Sequence, residues 1–178
     1  FTDVSESAGF SNTGNNQGIS IADYDNDGDD DIYVSVRDGI NKLFRNDGVF
    51  QFTEVGEMAG VNTANSTLMS VWGDLDNDGD LDLFVGNYDE PNQLYRNLGD
   101  GTFEDISVSG GITNVNRVQA VTMGDIDQDG WLDVYVANLS EQNQMYKNNG
   151  DGTFTNIVFE SGTTDTKIAM GTIFFDYD

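Results

Sequence analysis

One ruler constrains this chain more than any other feature. The glycine-centred acidic segments "DYDNDGDDD" from Asp23, "DLDNDGDLD" from Asp74 and "DIDQDGWLD" from Asp125 start 51 residues apart. A truncated "DYD" from Asp176 continues the series. Phe1, Phe52, Phe103 and Phe154 open "FTDV", "FTEV", "FEDI" and "FTNI" in the same register. "NKLFRN" at 41–46 matches "NQLYRN" at 92–97 and "NQMYKN" at 143–148. The 178 residues are therefore read as one repeat domain of three gapless repeats (1–51, 52–102, 103–153) and half of a fourth (154–178). A period of this size marks an architecture in which each unit buries its apolar face against its neighbours.

Within a repeat the pattern is β. "GISIADY" (18–24) and "LMSVWGD" (68–74) lead into the acidic loop, and "DIYVSV", "LDLFVGN" and "LDVYVAN" leave it, rich in Val, Tyr, Phe and Leu. "NKLFRN" and its equivalents supply a third strand, and the "FTEV"-type segment, after a turn such as "LGDGT", supplies a fourth. No amphipathic helix of useful length is expected, and the chain has one proline. Four short strands per repeat, joined by Gly, Asn and Asp turns, predict an all-β fold built of β-propeller blades, each of four antiparallel strands. A β-solenoid is the competing architecture, but its rungs are shorter, about 20 to 30 residues, and lack a four-strand meander.

Charge narrows the function. Thirty-two acidic residues against seven basic ones give a formal net charge of −25, which disfavours nucleic acid and anionic membranes as partners. Cations or basic partners suit such a surface. With no cysteine and no histidine, disulfides, Cys nucleophiles, Ser-His-Asp triads and His-rich zinc sites are excluded. No apolar run reaches the roughly 18 residues of a membrane span. The chain opens on Phe1 without an initiator Met or signal peptide, so it reads as a processed or excised piece.

The acidic spacing D-x-D-x-D-G-x-x-D suits a hard cation. Side chains at loop positions 1, 3 and 5 converge, the glycine at 6 permits the reversal, position 7 offers a carbonyl and position 9 closes the shell. Site one is then Asp23, Asp25, Asp27, the carbonyl of Asp29, and Asp31. Site two is Asp74, Asp76, Asp78, the carbonyl of Asp80, and Asp82. Site three is Asp125, Asp127, Asp129, the carbonyl of Trp131, and Asp133. Asp176 and Asp178 supply positions 1 and 3 of a truncated fourth site. All-oxygen ligation with several carboxylates selects Ca²⁺ over Zn²⁺, and loop flexibility favours it over Mg²⁺. An EF-hand is excluded, because the loop is followed by a strand and closes on Asp at position 9. Asp30 fits no ligand slot and is expected to be solvated.

"DYDNDGDDDIYV…NKLFRNDG" and "GDLDNDGDLDLFVGN…NQLYRNLGDGTFEDI" resemble FG-GAP/VCBS-type repeats, the calcium-binding propeller blades of integrin α-subunits and of cartilage-acidic-protein-like secreted proteins. The resemblance implies a propeller, commonly seven-bladed, with Ca²⁺ in the loop between the first two strands of each blade. It also implies an extracellular, secreted or cell-surface setting. It does not imply one activity.

Three and a half repeats fall short of a ring of about 4 to 8 blades. The chain is therefore expected to be part of a larger ring, with a dimeric ring or a fibre joined through "TKIAMGTIFF" (166–175) as alternatives. Left alone, it is expected to self-associate through its terminal blade edges. Arg45, Arg96 and Lys147 share one repeat position and are expected to pair with nearby Asp. Trp72 is expected in the core, and Trp131, standing where Asp29 and Asp80 stand, is a candidate sugar-stacking residue. Recognition of a protein or glycan ligand is expected from the loops where repeats disagree: 11–17, 62–67, 113–117 and 163–167, with 37–40, 88–91 and 139–142. Asn65 and Asn138 head sequons and are candidate N-glycan sites. Glu54, Glu57, Glu90 and Glu104 share no motif that would pair them for glycosidase chemistry, so no enzyme is expected. The reading is an adhesion or ligand-binding scaffold; the alternatives are a structural subunit of an extracellular assembly and a carbohydrate-binding or accessory domain of a secreted enzyme.

Overall fold

The computed structural model describes residues 2–10, 14–164 and 171–174. Asp176, Asp178 and much of the expected edge segment 166–175 lie outside the described residues.

Three four-stranded antiparallel meanders follow one another. The first comprises β1 (Asn15–Ala22), β2 (Asp31–Arg37), β3 (Lys42–Asn46) and β4 (Phe52–Glu54). A single helical turn, α1 (Gly56–Ala59), leads to β5 (Thr67–Gly73), β6 (Asp82–Pro91), β7 (Gln93–Asn97) and β8 (Phe103–Asp105). β9 (Val115–Gly124), β10 (Asp133–Asn138), β11 (Gln144–Asn148) and β12 (Phe154–Asn156) form the third. The "FTEV"-type segment that opens each sequence repeat thus closes the sheet of the preceding blade, with Phe44 opposite Glu54 and Tyr95 opposite Asp105. Blades two and three also join edgewise, as Tyr88 pairs with Arg117 and Pro91 with Val115.

The period of two along the second strand of each blade decides which way each side chain packs. Tyr33 faces blade two, whereas Ile32 and Val34 face away from it. One repeat on, Leu83 and Val85 turn back to blade one and Phe84 faces blade three. Two cores result, one at each junction, with Tyr33, Leu83, Phe84, Val85, Leu94 and Val134 fully buried. Burial of each such side chain stabilises the fold by about 1.5–3 kcal/mol. The innermost strands are further tied by a 2.7 Å hydrogen bond between the Ser20 and Ser70 hydroxyls.

The same registration continues beyond blade three. Phe174, which stands in the repeat where Trp72 and Met123 stand, packs edge-on against Tyr135 as Trp72 packs against Tyr33. At the other end no sheet among the described residues covers Ile19 and Ile21, and they are 64% and 60% exposed.

Candidate metal centre

Each acidic loop runs from the end of a blade's first strand to the start of its second, so two sheet strands fix its ends. Its interior is held by its own carboxylates. In loop one, Asp23 accepts the backbone N–H groups of Asp27 and Gly28 at 3.1 and 2.9 Å. Asp27 accepts the N–H of Asp29 at 2.9 Å. Asp74 and Asp78 repeat this in loop two. Asp125 and Asp129 repeat it in loop three. The reversal requires positive φ at two positions. Gly28, Gly79 and Gly130 take it at +95°, +96° and +92°, and Asn26, Asn77 and Gln128 at +57°, +59° and +61°. An L side chain is disfavoured at the first set, and Asn is among the residues that tolerate the second.

Position 9 has a second task that the ligand scheme did not foresee. Asp31 is fully buried and accepts the N–H of Tyr24 at 3.0 Å and of Asn46 at 2.8 Å, pinning the loop to β3. Asp82 does the same for Leu75 and Asn97, and Asp133 for Ile126 and Asn148. Burial pushes the Asp31 carboxyl up to about 6 and that of Asp82 to about 7, against the opposing effect of the two N–H donors. Asp133 moves in the same direction for the same reason.

The predicted ligand side chains converge. Oxygens of Asp23, Asp25 and Asp27 lie within 4.8 Å of one another, as do those of Asp74, Asp76 and Asp78, and of Asp125, Asp127 and Asp133. Position 3 supplies the test of fit. Oδ1 of Asp25 and Oδ1 of Asp76 are buried with no hydrogen-bond partner, and burial together with neighbouring carboxylates raises both residues' pKa. A buried, unpartnered carboxylate oxygen among like charges is costly unless a cation meets it. The donor set is all oxygen, as Ca²⁺ requires. Asp31 and Asp82 are not grouped with their loops' other three carboxylates in this geometry, and Asp129 is not grouped with its own. At position 7, the Asp29 side chain is exposed, Asp80 accepts a side-chain amide, and the half-buried Trp131 indole lies over Gly150.

The loops also touch one another. Asn26 Nδ2 donates to Asp80 Oδ1 at 2.7 Å, and Asn77 Nδ2 donates to the Gly130 carbonyl at 3.0 Å. Asn97, buried, donates to the carbonyls of Leu81 in its own loop and Tyr24 in the loop before. Asn148 does so to Leu132 and Leu75. Sequence reasoning missed these residues as loop-linking groups, although the invariance of Asn46, Asn97 and Asn148 across the repeats was the available signal.

The shared basic position does not behave uniformly. Arg45 pairs with Asp47 at 2.8 Å, Arg96 with Glu104 rather than an Asp, and Lys147 with Asp127 and Asp129 of loop three. Asp30 is exposed, as expected for a residue outside the ligand set. Trp72 packs against the core between blades one and two. The two sequons part company. Asn65 is half-buried, but Asn138 is fully buried with its Nδ2 donated to the Gln142 carbonyl at 2.6 Å. The expectation of a glycan at Asn138 is therefore corrected, since the folded blade leaves no room for one. Among the described residues no helix is long and apolar enough to cross a membrane.

Comparison with known proteins agrees with this geometry. The profile of the FG-GAP-like repeat matches residues 23–85, 74–136 and 125–178. Cartilage acidic protein 1 of Mus musculus is 29% identical over 153 residues, 82% of this chain and 24% of that protein. The Homo sapiens protein is 28% identical over the same length, with 82% and 23% covered. The chain thus spans about a quarter of the relatives it matches. Among solved structures, a lectin of Agrocybe aegerita, described for specific recognition of non-reducing terminal N-acetylglucosamine, aligns over 89% of this chain and 40% of its own, at 22% identity and a TM-score of 0.49. With the repeat matched three times across most of its length, the chain belongs to the FG-GAP-like repeat family.

Proposed function

We propose that the chain is a calcium-stabilised, non-catalytic β-propeller scaffold of an extracellular protein, used for adhesion or ligand binding. The observation that carries this reading is the pair of buried, unpartnered oxygens, Asp25 Oδ1 and Asp76 Oδ1, inside loops of repeated geometry. Asp23, Asp25, Asp27 and Asp31 would hold one ion with the Asp29 carbonyl. Asp74, Asp76, Asp78 and Asp82 with Asp80, and Asp125, Asp127, Asp129 and Asp133 with Trp131, would hold two more. The ion supplies the positive charge that lets several carboxylates share one loop. The chain's own part is to orient them, through the N–H donors gathered by positions 1, 5 and 9.

Extracellular calcium modules bind with dissociation constants of about 10⁻⁴ to 10⁻³ M, matching calcium outside cells. Kinship with proteins named for cartilage supports the same setting. The apolar face bearing Ile19 and Ile21 supports a ring completed by further repeats, because equivalent side chains in blades two and three pack on a preceding blade. The absence of His and Cys from the sequence favours a non-catalytic role. Calorimetric titration of the EDTA-treated protein with Ca²⁺ tests the reading. Heats fitting one ion per complete loop, with a rise in melting temperature, are expected. No heat and no rise would refute it.

A further inference from the structure

Among the described residues, a pocket of about 370 Å³ opens between blades two and three beside loop two. This is within the roughly 300–1,000 Å³ range of small-molecule sites. One wall is the Trp131 indole. Its ring lies so close to Gly150 that a β-carbon there would come within 2.8 Å of it, so the turn after β11 backs the ring. The other wall carries the Arg96–Glu104 ion pair and the side chain of Ser109. Asp151 and Thr153 stand at the turn, the carboxylate accepting the Thr153 N–H and hydroxyl through one oxygen, at 3.0 and 2.6 Å. Leu75, Ile106 and Phe154 supply apolar lining, and Asp76 and Asp82 of loop two form the end of the pocket that a bound Ca²⁺ would close.

The repeat shows what is particular here. At the junction of blades one and two, the position of Trp131 is filled by Asp80, whose carboxylate is engaged by Asn26 and lies against Gly99. Glu104 and Ser109 are replaced there by Thr53 and Met58. An aromatic plane facing an ion pair and a hydroxyl thus arises only at the second of these two junctions.

We infer that this pocket binds a neutral pyranose, the terminal or exposed sugar of a glycan, stacked on Trp131. The inference rests on the scaffold reading above and names the ligand class that it would serve. A pyranose has one C–H face for the indole and a rim of hydroxyls for Glu104, Arg96 and the second oxygen of Asp151. A purely apolar ligand would strand those polar groups, and a simple ammonium, drawn by the carboxylates but opposed by the Arg96 guanidinium, would leave the indole face without a C–H partner.

The test is calorimetric titration of the intact protein, after saturation with Ca²⁺, against a panel of methyl hexopyranosides and N-acetylhexosaminides, with methylammonium as the cationic control. Binding of at least one glycoside is expected. Trp131→Asp, which installs the residue of loop two, should weaken it at least ~10-fold, and Trp131→Tyr should hold within ~3-fold, because a smaller ring still stacks. Should Trp131→Asp fold poorly, Glu104→Gln carries the same test and should weaken binding ~3-fold or more. No glycoside bound, binding of methylammonium alone, or unchanged affinity in the folded variant overturns the assignment. Because Ca²⁺ saturation is read first by melting temperature, failure of the scaffold reading and failure of the sugar site give different results.

Discussion

In the second acidic loop, Asp76 keeps a buried oxygen with no partner, whereas in the third the matching carboxylate of Asp127 meets the ammonium of Lys147. The two loops are otherwise alike in their internal hydrogen bonds and in the sign of φ at positions 4 and 6. Their surroundings differ. Leu75 of loop two is 6% exposed under blade three, while Ile126 of loop three is 41% exposed. Asp82 is driven up to about 7 by burial. The cradle is thus a local property, written in nine residues, but its depth is set by the neighbouring blade and its counter-charge by the third strand of its own blade.

The largest expected effect breaks both loops together. At tenfold excess of Ca²⁺ over the dissociation constant each site adds roughly 1.4 kcal/mol by mass action, so removing three would cost on the order of 4 kcal/mol. Thermal melts in EDTA and in millimolar Ca²⁺ should differ by several degrees; coincident melts would remove the comparison altogether.

Next in size is Gly79→Val, which places a β-branched side chain at φ +96°. It should cost loop two its ion while leaving the other heats in the titration, since the strain of about 1–3 kcal/mol is local. Gly79→Val with a full set of heats would mean that position 6 does not shape the cradle.

Lys147→Met sharpens the contrast between the loops. Removing a positive charge about 4 Å from a divalent ion gains roughly 2 kcal/mol in a water-like dielectric, or about thirtyfold in affinity for site three. Arg96→Met should do less for site two, because Arg96 is engaged by Glu104. Equal gains would show that the basic side chain acts alike in both.

The pH dependence without calcium is smaller and has a definite sign. Asp82 is raised from 3.8 to about 7 and Asp31 to about 6, so between those values the folded state holds protons that the unfolded state has released. Stability contributed by these groups is present below about pH 4 and is lost as pH rises through 6 to 7. Melting temperature in EDTA should fall over that window, and Asp82→Asn should flatten the fall more than Asp133→Asn. Saturating Ca²⁺ should flatten it for every variant. A melting temperature rising with pH in EDTA would contradict the burial assigned to these carboxylates.

The smallest effect separates the two positive-φ positions within one loop. Asn77→Ser removes the bond to the Gly130 carbonyl and an αL-tolerant side chain, so it should weaken site two by about threefold, less than Gly79→Val.

Much of this was legible because the repeat prints each signal three times. The strands around the acidic loops and the converging carboxylates of loop two follow from the spacing of Asp74, Asp76 and Asp78 and from the alternation in "LDLFVGN". What was not legible is set by three-dimensional placement. Lys147 reaches loop three from β11 of the same blade, 18 to 20 residues away, and Asn26 meets Asp80 across 54, a contact that depends on how far one blade is rotated against the next. Asn138 reads as a glycan acceptor by motif, yet the sheet pulls its amide inward to Gln142. Trp131 stood out because it breaks the repeat, but its partner Gly150 is brought in by the β11–β12 turn.

The amides of Asn97 and Asn148 grip main-chain carbonyls of the preceding loop, at Tyr24 and Leu75, and those two side chains have little in common. A coupling that reads only backbone is indifferent to the identity of the unit it joins. This part of the seam would therefore tolerate duplication, deletion or exchange of whole 51-residue units, and what an exchanged unit must still match is the side-chain core at each junction.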